Sequence, residues 1–224
     1  MLKAVFMDFY GTAAQENSPI SLQVIKDIYK NSIAESPEQV VGYWWKNYRK
    51  RLEQANGENF KTQREVALET FYCLAEEFQC KKNPRQLLER MEEHWCTSPV
   101  YEDVVPFLQE VSLPVYFVTN SDDRYVLAEI EKYQLKPAGI ITSEQARYSK
   151  PRKEIFLYAL EKTGNKPEEV VHIGDSLESD VKCPAQAGIR SIWLNREGKP
   201  VPEGVNSAGN LWEALKCVRN MEKD

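Results

Sequence analysis

Three acidic side chains follow apolar segments of this sequence, in positions where a carboxylate could do chemistry. Asp8 ends the run Lys3–Met7 and enters a glycine-containing turn. Asp175 follows the apolar run Val170–Ile173, and Asp180 lies five residues beyond Asp175. A charged side chain is costly to bury unless another group pairs with it, so we expect these carboxylates at the open end of a sheet. Taken alone, Asp8 could equally cap the turn that follows it.

Hydroxyl, amide and ammonium groups follow two further apolar segments. Thr119, Asn120 and Ser121 close one of them and precede a helix start, whose free backbone N–H groups would face the same side. Lys150 comes after the next one. A divalent cation prefers oxygen ligands, whereas a phosphate group needs N–H, hydroxyl and ammonium donors. Together with the carboxylates, these residues predict a site for a hard divalent cation and a phosphate group.

The second half of the chain alternates strand-like and helix-like segments, which predicts a parallel sheet with helices on both faces. Strands are predicted at Val115–Thr119, Gly139–Thr142, Val170–Ile173 and Ser191–Leu194. Helices are predicted near Val104–Val111, Asp123–Tyr133, Lys153–Thr163 and Leu211–Met221. The first strand finds partners only in this half, and ligands gather at the carboxyl ends of such strands. We therefore predict an α/β fold, with a Rossmann-like core domain of residues 1–12 and 98–224.

Four amphipathic helices are predicted between Ser21 and Trp95. Their start signals are the Ser36-Pro37 pair, a capping box from Thr62 to Glu65, and the Asn83-Pro84 pair. Apolar residues recur at helical spacing after each start, and the links are short. The segment 13–97 is therefore predicted to be a helical bundle inserted into the core domain.

Composition excludes several classes of protein. The 224 residues are 42% hydrophobic, enough for a full core and a second small domain. No apolar run approaches about 18 residues, and the start lacks the pattern of a signal peptide. Five scattered cysteines form no metal-ligand spacing, which favours reduced thiols, and the net charge of −5 argues against nucleic-acid binding. We expect a cytoplasmic monomer or weak dimer with no membrane or nucleic-acid partner.

Four short motifs occur in the chain in a recognisable order. They are Asp8-Phe9-Tyr10-Gly11-Thr12, Thr119-Asn120-Ser121, Lys150-Pro151, and Gly174-Asp175-Ser176 with Asp180 and Gly188. In these motifs the sequence resembles the haloacid dehalogenase-like hydrolase superfamily, in the subfamily with a small helical cap. Each motif alone is weakly specific, whereas four in the correct order are strongly specific.

The resemblance implies a reaction and a role for each motif residue. Asp8 is implied as the nucleophile that takes a phosphoryl group and forms an aspartyl-phosphate, which water then hydrolyses. Thr119 and Lys150 are implied to hold the transferring group, with Asn120 and Ser121 as further substrate-binding residues. The implied substrate is a small phosphorylated molecule.

The resemblance also implies a cofactor and a lid. Mg²⁺ would be held by Asp8, the backbone carbonyl of Tyr10, and Asp175, with Asp180 a ligand or a partner of the ligands. The metal and Lys150 would offset the repulsion between a carboxylate and a phosphate. The helical insert is similar to the cap that closes over the substrate in this family.

Tyr10 departs from the phosphatase pattern. Phosphatases of this family usually carry a second Asp two residues after the nucleophile, as general acid and base. A phenol with a pKa near 10 can still donate a hydrogen bond to a leaving oxygen, but it can hardly activate water. This predicts slow turnover of alkyl phosphates and an accumulating phosphoenzyme. The 2-haloacid dehalogenases share the Asp-x-Tyr-Gly-Thr pattern and attack carbon without a metal.

The fourth motif favours the phosphatase. Asp175 suits magnesium, whereas dehalogenases have Ser-x-Asn there, which would place Asn at Leu177, and a Tyr where this chain has Phe156. A magnesium-dependent phosphohydrolase is therefore preferred to a dehalogenase. A weakly catalytic phosphate-binding relative remains open, as does a phosphonoacetaldehyde-hydrolase-like enzyme. The latter would need a cap lysine for a Schiff base, and the candidates are Lys46, Lys50 and Lys61.

Other polar and aromatic residues have simpler interpretations. His172, inside an apolar strand, is predicted to be a buried structural histidine. His94, on the last helix of the insert, is predicted to lie at the surface. The aromatic residues of the second helix are predicted to pack in the bundle, and the basic run that follows is predicted to be solvated: Tyr43, Trp44, Trp45, Tyr48, and Arg49, Lys50, Arg51.

Overall fold

A parallel sheet of six strands forms the centre of the protein, in a computed structural model that describes residues 1–222. The strands are β1 (Ala4–Met7), β2 (Val115–Thr119), β3 (Gly139–Thr142), β4 (Val170–Gly174), β5 (Arg190–Leu194) and β6 (Ser207–Ala208). Their order across the sheet is β3-β2-β1-β4-β5-β6, and every pair is parallel. This arrangement confirms the predicted α/β, Rossmann-like fold.

Strand β1 lies in the middle of the sheet, between β2 and β4. All four of its residues are completely buried, because helices cover both faces of a parallel sheet. Val5 and Met7 contribute to the apolar core on one face, and Ala4 and Phe6 to the core on the other. Since β1 has neighbours on both sides, the residue that follows it lies between the ends of two other strands.

Ten α-helices surround the sheet or form the insert in the described residues. Those of the insert are α1 (Pro19–Lys30), α2 (Pro37–Gln54), α3 (Gln63–Glu77) and α4 (Pro84–Trp95). The others are α5 (Val104–Glu110), α6 (Asp123–Tyr133), α7 (Ser143–Ala146), α8 (Glu154–Thr163), α9 (Cys183–Gln186) and α10 (Leu211–Met221). A π-helix at Leu177–Lys182 follows β4.

The four helices of the insert share one apolar core. Side chains such as Val40, Val66, Phe71 and Leu88 are almost completely buried in it. The predicted start signals act as caps, since the Ser36 and Thr62 side chains accept N–H bonds from the first turns of α2 and α3. We call these helices the helical unit. The division of the chain at residues 12/13 and 97/98 stays a prediction.

Several segments differ from the predicted ones. Strand β6 has two residues and α9 four, too few for a periodic pattern to emerge. The basic run of α2 is not uniformly solvated, because half-buried Arg51 donates to the Cys73 sulfur at 2.7 Å. The aromatic residues predicted to pack in the bundle do lie at the core of the helical unit.

Among the helices of residues 1–222, none is long and apolar enough to cross a membrane.

Candidate active site

Three carboxylates converge at the carboxyl ends of the two central strands. Asp8 follows β1, Asp175 follows β4, and Asp180 lies on the π-helix that turns back over β4. One carboxylate oxygen from each residue lies within 4.8 Å of the other two. The predicted convergence is therefore found, and it depends on β1 and β4 being neighbours in the sheet.

The ammonium group of Lys150 lies among these carboxylates. Its Nζ donates to Asp8 Oδ1 and to Asp180 Oδ1, both at 2.6 Å, and the residue is 3% exposed. Asn120 fixes the lysine backbone, because its side chain accepts from the Lys150 N–H at 2.6 Å and donates to the Lys150 carbonyl at 2.8 Å. The lysine is thus held in place at both ends.

The charges of the site perturb each other strongly. Burial raises the pKa of Asp8 to about 6, against the opposing effect of Lys150. Burial and the neighbouring carboxylates raise the pKa of Asp175 to about 8. Burial also opposes the ionisation of Asp180, but the Lys150 ammonium and a histidine hydrogen bond hold its pKa well below its usual range. The single positive charge of Lys150 therefore does not neutralise the three carboxyl groups when all of them are ionised.

This charge imbalance and the donor set fit a divalent cation. Oxygen-only ligands suit Mg²⁺, and an added cation would favour the ionised forms of Asp8 and Asp175. Asp180 already accepts bonds on both oxygens, from Lys150 and from the Ser176 N–H at 3.0 Å. Asp8 and Asp175 are therefore the side chains best placed as ligands, and Asp180 fits the role of a positioning residue.

Two glycines leave room for the Asp175 and Asp180 carboxylates next to the backbone. Gly11 has φ +91°, and a Cβ there would lie 2.7 Å from the Asp175 carboxylate. A Cβ on Gly174 would overlap the Asp180 side chain. Any larger residue at either position would displace a carboxylate, so the two motif glycines are explained by the site itself.

The two predicted substrate-binding side chains form internal hydrogen bonds instead. Asn120 holds Lys150, as described above. The Ser121 hydroxyl donates to Gln63 Oε1 of the helical unit at 2.6 Å, and Ser121 is completely buried. Thr119, 2% exposed at the end of β2, has no such partner in the described contacts. Both side chains are thus engaged within the protein, and their role in binding substrate stays a prediction.

The Tyr10 hydroxyl, predicted as a hydrogen-bond donor to the substrate, is engaged by the helical unit in this structure. It donates to the backbone carbonyl of Trp95, the last residue of α4, at 2.5 Å. The Tyr10 ring packs edge-on against Phe9. Burial raises the pKa of the phenol well above its usual value. The Tyr10 side chain therefore joins the sheet to the helical unit, and its proton is engaged there.

His172 contributes to the site although no motif includes it. The residue is completely buried, as predicted, and its Nε2 donates to Asp180 Oδ1 at 2.9 Å. Phe156 packs edge-on against the imidazole, with ring centroids 4.8 Å apart. Burial lowers the pKa of His172, so the ring is neutral. Its position in the middle of β4 predicts only that the side chain is buried. The hydrogen bond to Asp180 depends on the fold and could not be predicted from the sequence.

His94 corrects the prediction of a surface residue. It is 2% exposed, and its Nε2 donates to the Glu16 carbonyl at 3.1 Å. Ser18 Oγ and Ser98 Oγ lie 2.9 and 3.0 Å from its Nδ1. The prediction failed because both segments that join the helical unit to the sheet, around residues 16–18 and 98, meet at this side chain.

A pocket of about 250 Å³ opens beside the carboxylates. Gly11 and Asp175 line it, and most of its other lining residues come from the segment after β1 and from the end of β5 and the segment that follows. The lining side chains are mostly polar: Gln15, Glu16, Asn17, Tyr101, Trp193, Asn195, Arg196, Glu197 and Lys199. This volume lies at the small end of pockets that bind organic ligands.

Sequence comparisons identify the family and several partly matching relatives. The family model for haloacid dehalogenase-like hydrolases matches residues 2–188. Pyrimidine 5'-nucleotidase YjjG of Escherichia coli is 40% identical over 67 residues, which is 30% of either chain. N-acylneuraminate-9-phosphatase of Homo sapiens is 30% identical over 135 residues, 54% of either chain. The matched segments thus span about a third to a half of these relatives.

Structural comparisons extend over the whole chain at lower identity. L-2-haloacid dehalogenase from Xanthobacter autotrophicus has a TM-score of 0.78 at 18% identity, covering 99% of this chain and 100% of that one. The HAD-hydrolase YfnB from Bacillus subtilis, in a structure bound to magnesium, has a TM-score of 0.76 at 21% identity, covering 97% and 99%. At such identities the likeness establishes the fold alone.

Proposed function

Because the chain belongs to the haloacid dehalogenase-like hydrolases, we propose that it is a magnesium-dependent phosphatase of small molecules that acts through an aspartyl-phosphate on Asp8. One observation carries this proposal, namely the second carboxylate, Asp175, placed beside Asp8 without a cation of its own. A reaction without metal would gain nothing from that carboxylate. A bound Mg²⁺ would make it a ligand.

Each of the charged side chains has a separate role in the proposed reaction. Asp8 attacks phosphorus, and its pKa of about 6 leaves it mostly ionised at neutral pH. Lys150 supplies a fixed positive charge next to the attacking oxygen, and Asp180 holds this ammonium in place. Bound Mg²⁺ would supply charge neutralisation for the phosphate, held by the Asp8 and Asp175 carboxylates and the Tyr10 carbonyl.

The helical unit fits the proposed role of a cap. Asp122, just before α6, accepts the N–H groups of Gln63 and Arg64 at 2.6 and 3.1 Å, at the start of α3. The Ser121–Gln63 bond lies beside them. These contacts join the loop after β2, which follows Thr119, to the start of α3 in the helical unit. We propose residues 13–97 as the cap domain on this ground.

A 2-haloacid dehalogenase is the second candidate, and one electrostatic observation favours it besides Tyr10. With a pKa near 8, Asp175 would be mostly protonated at neutral pH when no cation is bound. Asp8 could then attack carbon beside a neutral neighbour. A metal-free reaction is therefore electrostatically possible, and the two candidates differ in their need for magnesium.

An activity panel tests the proposal. Phosphate esters and 2-haloacids are assayed with magnesium and with a chelator, on wild type and on Asp8→Asn. We expect hydrolysis of phosphate esters that needs magnesium and falls by about three orders of magnitude or more in Asp8→Asn. Asp27→Asn, on α1, is the matched control and should keep the activity. Halide release that persists in chelator would instead establish the dehalogenase.

A further inference from the structure

The proposed reaction lacks a proton donor at the usual position. An alkoxide leaving from phosphorus needs a proton, and the attacking water in the second step must lose one. Tyr10 occupies the place of the usual acid, but its hydroxyl is bonded to the Trp95 carbonyl. Lys150 donates to two carboxylates that hold it charged. The proton must therefore come from another group near the carboxylates.

The pocket beside Asp175 contains few groups that could exchange a proton near neutral pH. Arg196 forms a two-bond ion pair with Asp103 at 2.8 and 2.9 Å. The same guanidinium lies over the Tyr101 ring, 3.9 Å from its centroid. A guanidinium stays protonated in proteins, and burial raises the pKa of Tyr101 further above its usual value. Neither side chain suits the task.

The two remaining charged residues on the segment after β5 neutralise each other. Lys199 Nζ lies 2.5 Å from a carboxylate oxygen of Glu197, and both side chains are largely exposed. Glu16, on the segment after β1, is exposed and has no ion pair or side-chain hydrogen bond in the contacts described for residues 1–222. Asp175, the other acid of this pocket, serves as a metal ligand in the proposed function, which leaves Glu16 as the acid available to exchange a proton.

A buried histidine fixes the backbone at Glu16. His94 donates its Nε2–H to the Glu16 carbonyl, and Ser18 and Ser98 surround the other ring nitrogen. Burial lowers the pKa of His94, so the ring stays neutral and keeps this donor pattern. The end of α4 therefore fixes the backbone of Glu16, a residue that lines the same pocket as Asp175.

The electrostatic surroundings also suit a proton-exchanging carboxyl. Glu16 is exposed as a residue, yet partial desolvation of its carboxyl in the pocket raises its pKa, and the negative charges of Glu197 and Asp180 act in the same direction. Arg49 of α2 and Lys199 oppose them. A carboxyl whose pKa is raised towards the working pH is better suited to both giving and taking a proton.

We propose that Glu16 is the general acid and base of this enzyme, an assignment that depends on the proposed phosphatase function. In the first step, the Asp8–phosphorus bond forms and the ester O–P bond breaks, while the leaving oxygen takes the proton of the Glu16 carboxyl. In the second step, the oxygen of water bonds to phosphorus and the Asp8–phosphorus bond breaks. The water proton goes to the Glu16 carboxylate, which restores the starting state.

The test separates the two steps with leaving groups of different quality. Nitrophenolate needs no proton to leave, whereas an alkoxide does. In Glu16→Gln, nitrophenyl phosphate should give a fast burst of one nitrophenol per site and then a steady rate lowered by about 10²-fold. An alkyl phosphate should show no burst, because its first step has slowed as well.

Matched variants complete the design. Asp27→Asn removes one negative charge outside the pocket and should change either rate by less than about threefold, and Glu16→Asp should restore part of the lost rate. Equal slowing of both phases in Glu16→Gln, or unchanged rates, would overturn the role of Glu16 while the phosphatase stands. Absence of any Asp8-dependent hydrolysis in wild type would overturn the proposed function, and this inference with it.

Discussion

Substituting Asp175→Asn should change stability in opposite directions with and without magnesium. In the protein without metal, Asp175 is an acid whose pKa is raised from 3.8 to about 8 by burial and by Asp8 and Asp180. Its ionisation therefore opposes folding. The asparagine variant has about the same shape but no charge. It therefore removes the ionisation penalty, and it also removes a metal ligand.

The sign and size of the effect follow from linkage. Because the folded pKa is raised, stability falls as the pH rises from about 4 to about 8, and the deficit is complete only above pH 8. Four pKa units would correspond to at most about 5.5 kcal/mol, and partial exposure of Asp175 reduces this to about 1–2 kcal/mol. For a chain of this length, that is about 2–8 °C in Tm.

Magnesium should reverse the order of the two proteins. A ligand at 100 times its Kd stabilises the folded state by about 2.7 kcal/mol, or about 5–10 °C here. Wild type should gain this increment, and Asp175→Asn should gain almost none. The assay is thermal unfolding at about pH 8.5, with chelator and with saturating magnesium, so that the ionisation penalty is fully present.

Two results would refute this reasoning. If wild type melts at the same temperature with and without magnesium, Asp175 is not part of a metal site. If Asp175→Asn is less stable than wild type in chelator at this pH, the carboxylate is stabilising as it stands, and the charge imbalance inferred for the site is wrong. Asp27→Asn should shift in parallel with wild type in both conditions.

Three further substitutions test individual contacts. Tyr10→Phe should lower the free energy of unfolding by about 1 kcal/mol and change kcat only a few-fold, since the hydroxyl only holds the Trp95 carbonyl. Lys150→Met should lower kcat by at least about 10²-fold, because Asp8 loses its counter-charge. Glu129→Gln should raise the free energy of unfolding by about 1–3 kcal/mol at pH 8, measured by urea unfolding. The carboxyl of Glu129 is completely buried without a hydrogen-bond partner in the described residues, and burial raises its pKa to about 7.

Each of these three predictions has a result that would contradict it. A large loss of kcat in Tyr10→Phe would show that the phenol takes part in the reaction. Full activity in Lys150→Met would show that the lysine does not. For Glu129→Gln the gain should disappear towards pH 5, because a raised pKa weakens the folded protein only above the unfolded value; an equal gain at both pH values would mean that packing, not ionisation, is responsible.

The strand ends were predictable because the signal there is local. An apolar run followed by Asp8, Thr119 or Asp175 places each residue at the carboxyl edge of a parallel sheet, whatever the details of packing. The bounds of β2 and β3 agree with the predicted segments for the same reason. Lys150 was predicted through its motif, but its two partners depend on how the chain returns to the sheet.

The contacts that the sequence did not reveal join residues far apart in the chain. The Tyr10 bond to Trp95 spans 85 positions, and the Ser121 bond to Gln63 spans 58. His94 was misjudged because its helix has an amphipathic pattern, while its burial comes from linkers outside that helix. Periodicity reports which face of an element is apolar, and it carries no information about which distant segment covers it.

Trapping the phosphoenzyme tests the central claim most directly. Wild type, Asp8→Asn and Asp27→Asn are mixed with nitrophenyl phosphate and magnesium, quenched in acid within the first turnovers, and analysed by mass spectrometry. We expect one phosphoryl adduct on the peptide that contains Asp8, sensitive to hydroxylamine and absent in Asp8→Asn and in chelator. Hydrolysis that continues in Asp8→Asn, or an Asp8 ester formed from a 2-haloacid without magnesium, would contradict the account.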